Sequence, residues 1–143
     1  MAISSAMASS FKRQLLEGVH NFLNSGGDTF KAALYVAAAT LDASTTAYSA
    51  TNEVAATGGY TAGGATLTRV NPALSGTTAY TDFADVTYSA STITARGMLL
   101  NNDTDSDAAV SSHDFGSDKS SSGGDFVLAF PTADASNAIL RIA

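Results

Sequence analysis

The stretch TFKAALYVAA, residues 29–38, decides the fold class. Its apolar side chains alternate: Phe30, Ala32, Leu34 and Val36 fall on one face at period two, and Tyr35 shares the other with alanines. Side chains point to opposite faces at successive positions of a strand, so this pattern predicts a strand. Apolar residues on both faces predict that it is covered on both sides and central in its sheet. Segments 65–70, 81–89, 91–100, 108–115, 125–130 and 138–142 read as further strands, separated by clusters of Gly, Ser, Asn and Asp. Pro72 and Pro131 fall at strand ends, where a missing N–H does no harm.

One segment follows a different period. In SFKRQLLEGVHNF, residues 10–22, Phe11, Leu15, Val19 and Phe22 recur at helical spacing, with Lys12, Arg13, Gln14 and Glu17 on the other side. Ser9 or Ser10 would cap this helix, Gly18 would weaken its later turns, and NSGGD at 24–28 would end it. The stripe either packs on the chain's own sheet or docks on a partner. Many short strands and a single helix favour an antiparallel sandwich or barrel over a parallel sheet. Segments 40–64 and 101–108 read as long connections, which often serve as contact surfaces.

Composition narrows the chemistry. With 143 residues the chain has the length of one domain, and no internal repeat or boundary divides it. The absence of cysteine rules out disulfides and thiolate catalysis, so stability must come from packing or assembly. A net charge of −6 argues against nucleic acid as a partner. Charged residues make up only 14%, and the abundant Ala, Ser, Thr and Gly make flat surfaces suited to extensive protein contacts. No apolar run approaches the roughly 20 residues of a membrane helix. The start, MAISSAMASSFKRQ, puts its positive charges after the small residues and does not read as a secretory signal, so a cytosolic, unprocessed product with no membrane partner is expected.

The glycine pairs of GGYTAGGATLT, residues 58–68, raise the question of a phosphate loop. A Walker loop needs a lysine and a hydroxyl residue after its last glycine, but Ala65, Thr66 and Leu67 follow here and open a strand. The glycines read instead as turn residues with positive φ or close backbone approach. The alternating carboxylates Asp103, Asp105 and Asp107 are the sharpest constellation, a weak calcium candidate with Asp114 at the twelfth place from Asp103. Ala108 stands where an EF-hand needs glycine, and a solvated acidic hairpin tip explains the same residues.

His20 and His113 are the only histidines, no G-x-S-x-G elbow accompanies them, and a structural zinc site is poorly supported. His20 reads as a polar residue late on the helix and His113 as a strand or interface residue, with Asp114 on the opposite face. Asp82 and Asp85 read as exposed polar positions opening a strand. Arg69, Arg96 and Arg141 are isolated strand cations, suited to pairing with those aspartates or with a neighbouring subunit.

Taken in order, SFKRQLLEGVHNF, GYTAGGATL (59–67), STITARG (91–97), DFGSDKSSSGGDF (114–126) and the terminal ILRIA form a series over nearly the whole chain. It resembles a family of small proteins encoded by tailed bacteriophages and related prophages, usually near the head genes. The resemblance implies a virion component, with no catalytic residues and no cofactor to transfer. A mainly β chain is then expected, an antiparallel β-sandwich of jelly-roll-like form in a single domain 1–143, with an N-terminal arm and helix at 1–24 and the sandwich at 28–143.

The role expected first is a non-enzymatic capsid decoration or cement protein, a homo-dimer or homo-trimer on the virion surface bound to the major capsid protein. Phe11, Leu15, Val19 and Phe22, or the flexible segment before them, are the first docking element expected, and loops 40–57 and 71–80 the second. A tail, head-to-tail connector or fibre subunit is the alternative. A host-surface carbohydrate-binding module is a third, resting on Tyr48, Tyr60 and Tyr80 near loops.

Overall fold

Strand β2 (Phe30–Tyr35) forms as its alternation requires, and every side chain in it except Lys31 is buried. It lies within a five-stranded sheet of order β1 (Ala6–Met7), β8 (Ala108–Ser120), β7 (Thr94–Asn102), β2 and β3 (Ala65–Thr66), all paired antiparallel. The computed structural model describes residues 2–143. β2 pairs with β7 along its whole length, from Phe30 opposite Asn102 to Tyr35 opposite Gly97. Its other edge meets only two residues of β3.

A three-stranded sheet follows the order β10 (Leu140–Ile142), β5 (Thr78–Phe83) and β4 (Arg69–Ser75), and a two-stranded ribbon pairs β6 (Val86–Ser91) with β9 (Gly124–Leu128). The protein is thus mainly β, with antiparallel sheets and, among the described residues, one short helix, α1 (Ser9–Leu16). The sheets meet through aromatic side chains. Phe22 stacks on Phe30 with ring centroids 4.3 Å apart, Phe83 lies 5.8 Å from Phe30, and Phe130 lies 5.7 Å from Phe83. Rings at such separations add about 1 kcal/mol per pair beyond the area they bury.

The helix differs from its sequence reading. It stops at Leu16 because Gly18 turns to φ 73°, a left-handed conformation that closes a helix instead of merely weakening it. The cap residue is Ala8, with no side-chain hydrogen bond, in place of Ser9 or Ser10. Val19 and Phe22 therefore lie beyond the helix and share no helical stripe with Phe11 and Leu15. The segment before it is not a free arm either. Ala6 and Met7 pair with Ser112 and Ser111 of β8, Ser4 N–H donates to the Leu41 carbonyl, and Ile3 is buried. One buried hydrophobic cluster takes in Ile3, Ala8, Phe11 and Phe22 from residues 2–24 together with the strands.

Strand boundaries shift for local reasons. The expected strand 81–89 is two, because the chain leaves the three-stranded sheet after Phe83 and enters the ribbon at Val86. The expected strand 65–70 likewise divides between β3 and β4. The segment 71–80, expected as a loop, is the β4–β5 hairpin. Pro72 sits inside β4 and not at its end, but the register shifts there between Val70 and Ala73 on an edge strand, and both a bulge and an edge tolerate a missing N–H. β7 runs on to Asn102, so only a short tip separates it from β8.

Candidate functional site

The densest polar chemistry gathers where β2, the β7–β8 tip and the long connection 36–64 meet. GGYTAGG builds one side of it. Gly64, at φ 82°, passes so near β2 that a Cβ there would meet the Ala32 carbonyl oxygen at 1.9 Å. Tyr60 is thereby held under the connection, where its hydroxyl accepts the Leu34 N–H at 2.9 Å and donates to Glu53 Oε1 at 2.6 Å. Gly63 N–H donates to the same oxygen at 2.7 Å, and the Tyr48 hydroxyl donates to Glu53 Oε2 at 2.7 Å. Glu53 is a hub that sequence reasoning missed, since nothing in its neighbourhood marks a carboxylate with three donors. Burial, reinforced by the Glu53 carboxylate, pushes the Tyr48 hydroxyl up to about 12 and that of Tyr60 further.

The β7–β8 tip does not assemble a calcium loop of three aspartates. Asp103 Oδ1 meets Lys31 Nζ at 3.1 Å, Asp105 Oδ2 accepts from the Asn102 amide at 3.3 Å, and Asp107 Oδ1 accepts from the Asn101 amide at 3.4 Å. The carboxylates turn to three different partners, and no three His, Cys, Asp or Glu side chains gather as metal ligands among the described residues.

Asn102, fully buried, is a second hub. Its Oδ1 accepts the N–H groups of Thr104 and Asp105 at 3.0 and 3.3 Å, which fixes the amide and aims Nδ2 at His20 Nδ1 (3.0 Å) and Asp28 Oδ2 (2.8 Å). His20 Nδ1 must then accept, and Nε2 donates to Gln14 Oε1 at 2.8 Å, so the imidazole is neutral. Burial holds its pKa below the usual value, against the opposing pull of Asp105 and Asp28. His20 is therefore not a late helix residue but a buckle between the segment after α1 and the β7–β8 tip, its ring 4.7 Å from that of Phe11.

The remaining candidates stand apart. His113 Nε2 lies 2.8 Å from Ser111 Oγ on one face of β8, and desolvation alone lowers its pKa, to about 4. No carboxylate backs the pair, because Asp114 turns to Arg96 at 2.9 Å. Asp82 is fully buried, not exposed, and accepts the N–H groups of Phe83 at 2.8 Å and Ile139 at 3.4 Å, with its pKa raised by desolvation. Arg69 and Arg141 donate to backbone carbonyls, of Asp28 and Asn24 and of Ser136 respectively, so neither pairs with Asp82 or Asp85.

Of the four expected docking residues, Phe11, Leu15 and Phe22 line one groove and Val19 does not. Phe11 and Phe22 are buried in the chain's own core, and Val19 and Leu15 are half-buried. Leu15 lines an open groove of about 130 Å³ with Phe11, Phe22, Met7, Pro72, Leu140 and Ile142, a mainly apolar wall in which Tyr80, Thr81 and Arg141 also stand. Leu16 on α1, Leu74 on β4 and Ile142 on β10 are 91%, 72% and 59% exposed. Tyr60, at 3% exposed, cannot offer a ring face to a sugar. No helix among the described residues is long and apolar enough to cross a membrane.

Searches with the chain find no matching family model, no matching curated protein and no matching solved structure.

Proposed function

We propose that this chain is a structural virion protein of a tailed bacteriophage, a capsid decoration or cement protein without enzymatic activity that binds the major capsid protein as a homo-dimer or homo-trimer. The observation that carries the reading is the apolar groove, together with exposed Leu16, Leu74 and Ile142 on the elements that line it. Large apolar side chains left outside a chain with so few charges suit burial against another protein surface. The sequence resemblance to phage head-region proteins supplies the setting. In our reading the sheets pack as a jelly-roll-like sandwich around the phenylalanine cluster, leaving this groove at one margin.

A capsid lattice repeats one surface many times, so modest adhesion at each site accumulates through multivalency. Bridging two capsomers adds binding free energy against their separation under internal pressure. A triple variant, Leu16→Asp with Leu74→Asp and Ile142→Asp, is expected to keep the wild-type circular dichroism and to lose occupancy on particles. Full occupancy by the folded triple variant would reject the groove as the contact. Particles lacking the protein are expected to open at lower temperature. The alternative, a tail, connector or fibre subunit, is favoured instead if labelled protein locates to the tail or if gels give only a few copies per particle.

A further inference from the structure

The segment between α1 and β2 hangs on side chains and not on a backbone ladder. Among the described residues, the backbone of 20–25 makes one hydrogen bond to other backbone, from Asp28 N–H to the Asn21 carbonyl at 2.8 Å. Gly18 and Gly26 bound the segment at φ 73° and 80°, and a Cβ on either would meet open space. Unpacked glycines at both ends leave the chain free to swing there. Two polar ties fasten it to the strands. Asn24 N–H donates to Asn71 Oδ1 at 2.7 Å while its carbonyl accepts from Arg69, and His20 Nδ1 accepts from Asn102 Nδ2 at 3.0 Å. Phe22 lies between these ties, buried, stacked on Phe30 and lining the groove with Phe11 and Leu15.

We propose that His20 is a pH-operated latch: proton uptake at Nδ1 breaks its bond to Asn102, frees residues 19–23 to swing about Gly18, and withdraws Phe22 from the wall of the groove. The β7–β8 tip, not the histidine, fixes the polarity of that bond. Asn102 Oδ1 already accepts two backbone N–H groups and Nδ2 faces the Asp28 carboxylate, so the amide cannot turn over to offer its oxygen to a protonated ring. An imidazolium donates from both nitrogens, which sets N–H against N–H at a fully buried asparagine. The ring is faced by Gln14 and Phe11 from α1, Asn102 and Asp105 from the tip, Phe22 and Asp28 from its own segment, and Phe30 from β2. Asp28 and Asp105 attract the proton, but both already accept from Asn102 Nδ2, so neither replaces the broken bond while the ring stays in place. Cations of the neighbouring elements are engaged or exposed: Arg69 donates to the Asn24 and Asp28 carbonyls, Lys31 to Asp103 and Arg13 to Glu17, while Lys12 lies in solvent. Desolvation outweighs the two carboxylates and keeps the ring neutral near neutrality, so the latch is closed there and opens as pH falls below the ordinary histidine range.

Hydrogen–deuterium exchange of the intact chain, corrected for the intrinsic pH dependence of exchange, tests the latch. Protection of residues 19–25 is expected to fall about 10-fold or more between about pH 7 and about pH 4.5, while the β2 and β7 amides keep theirs. His20→Gln offers an oxygen to Asn102 and an N–H to Gln14 without titrating, and is expected to keep the segment protected at both pH values. His113→Gln is expected to leave the fall in place. A measurement on the wild-type chain accompanies the variants: the ring nitrogen shifts of His20 are expected to pass from the Nε2–H tautomer to imidazolium over the same range in which protection falls. The proposal is overturned by a segment equally protected at both pH values, by one that opens as far in His20→Gln as in wild type, by a fall that His113→Gln abolishes, or by a His20 ring that stays neutral while the segment opens. The latch bears on the groove of the virion reading, yet the test uses isolated protein, so failure of either leaves the other standing.

Discussion

Gly63 and Gly64 separate two reasons for a glycine. Both have positive φ, 86° and 82°, yet a Cβ on Gly63 would meet open space while one on Gly64 would enter the β2 backbone. Gly63→Ala is expected to cost about 1 kcal/mol from the left-handed backbone alone. Gly64→Ala is expected to cost roughly 3 kcal/mol or more, because β3 must leave β2 to make room. Urea titration of both variants checks the contrast. His113 carries a pH dependence at the same scale. Its folded pKa, about 4, lies below the ordinary 6.5, so the unfolded chain binds the extra proton between these values. The stabilisation is full above pH 6.5 and is lost as pH falls towards 4, a loss of about 3 kcal/mol in all. His20 acts in the same direction, whereas Asp42, Asp114 and Asp134, with lowered pKa values, lose their contributions only below 3.8. His113→Gln is expected to flatten the urea midpoint between pH 7 and pH 4.5 relative to wild type. That these residues matter was legible only in part: the glycine pairs announced turns, but nothing in a lone histidine tells how much water surrounds it.

At the scale of elements, α1 shows how a correct period can be carried too far. Phe11 and Leu15 do face inward from one helix, and the same spacing happens to place Val19 and Phe22 on cue, although Gly18 has already turned the chain. Phe22 reaches the core from an irregular segment and stacks on Phe30. Phe11→Ala is accordingly expected to destabilise the fold by about 3–5 kcal/mol, as for other buried aromatics. Leu16→Ala is expected to change stability by less than about 0.5 kcal/mol, its side chain being almost wholly in solvent. Thermal unfolding of the pair distinguishes the core face of the helix from its outer face. The β4–β5 hairpin was hidden for a related reason: Pro72 and the small residues around it imitate a loop, and only pairing with β5 at a bulged edge turns them into a strand.

At the scale of the molecule, the buried cluster runs from Ile3 through Phe11 and the β2 side chains to Leu140, joining chain ends that no local pattern connects. Unfolding is therefore expected as one cooperative transition, with far-ultraviolet circular dichroism and tyrosine fluorescence giving coincident urea midpoints. Two separated midpoints would mean that the three-stranded sheet or the ribbon melts by itself. The sequence alone determined the β class, the single helix, the glycine turns and the exclusion of thiol chemistry, because periodicity, backbone freedom and residue chemistry are properties of a residue and its near neighbours. Tertiary structure decided that the N-terminal arm is a strand, that Asp82 is buried, that Glu53 and Asn102 are hubs, and that Lys31 pairs with Asp103. Those outcomes depend on which distant segments the sheet sets side by side, and burial and hydrogen-bond partnership exist only once that placement is made.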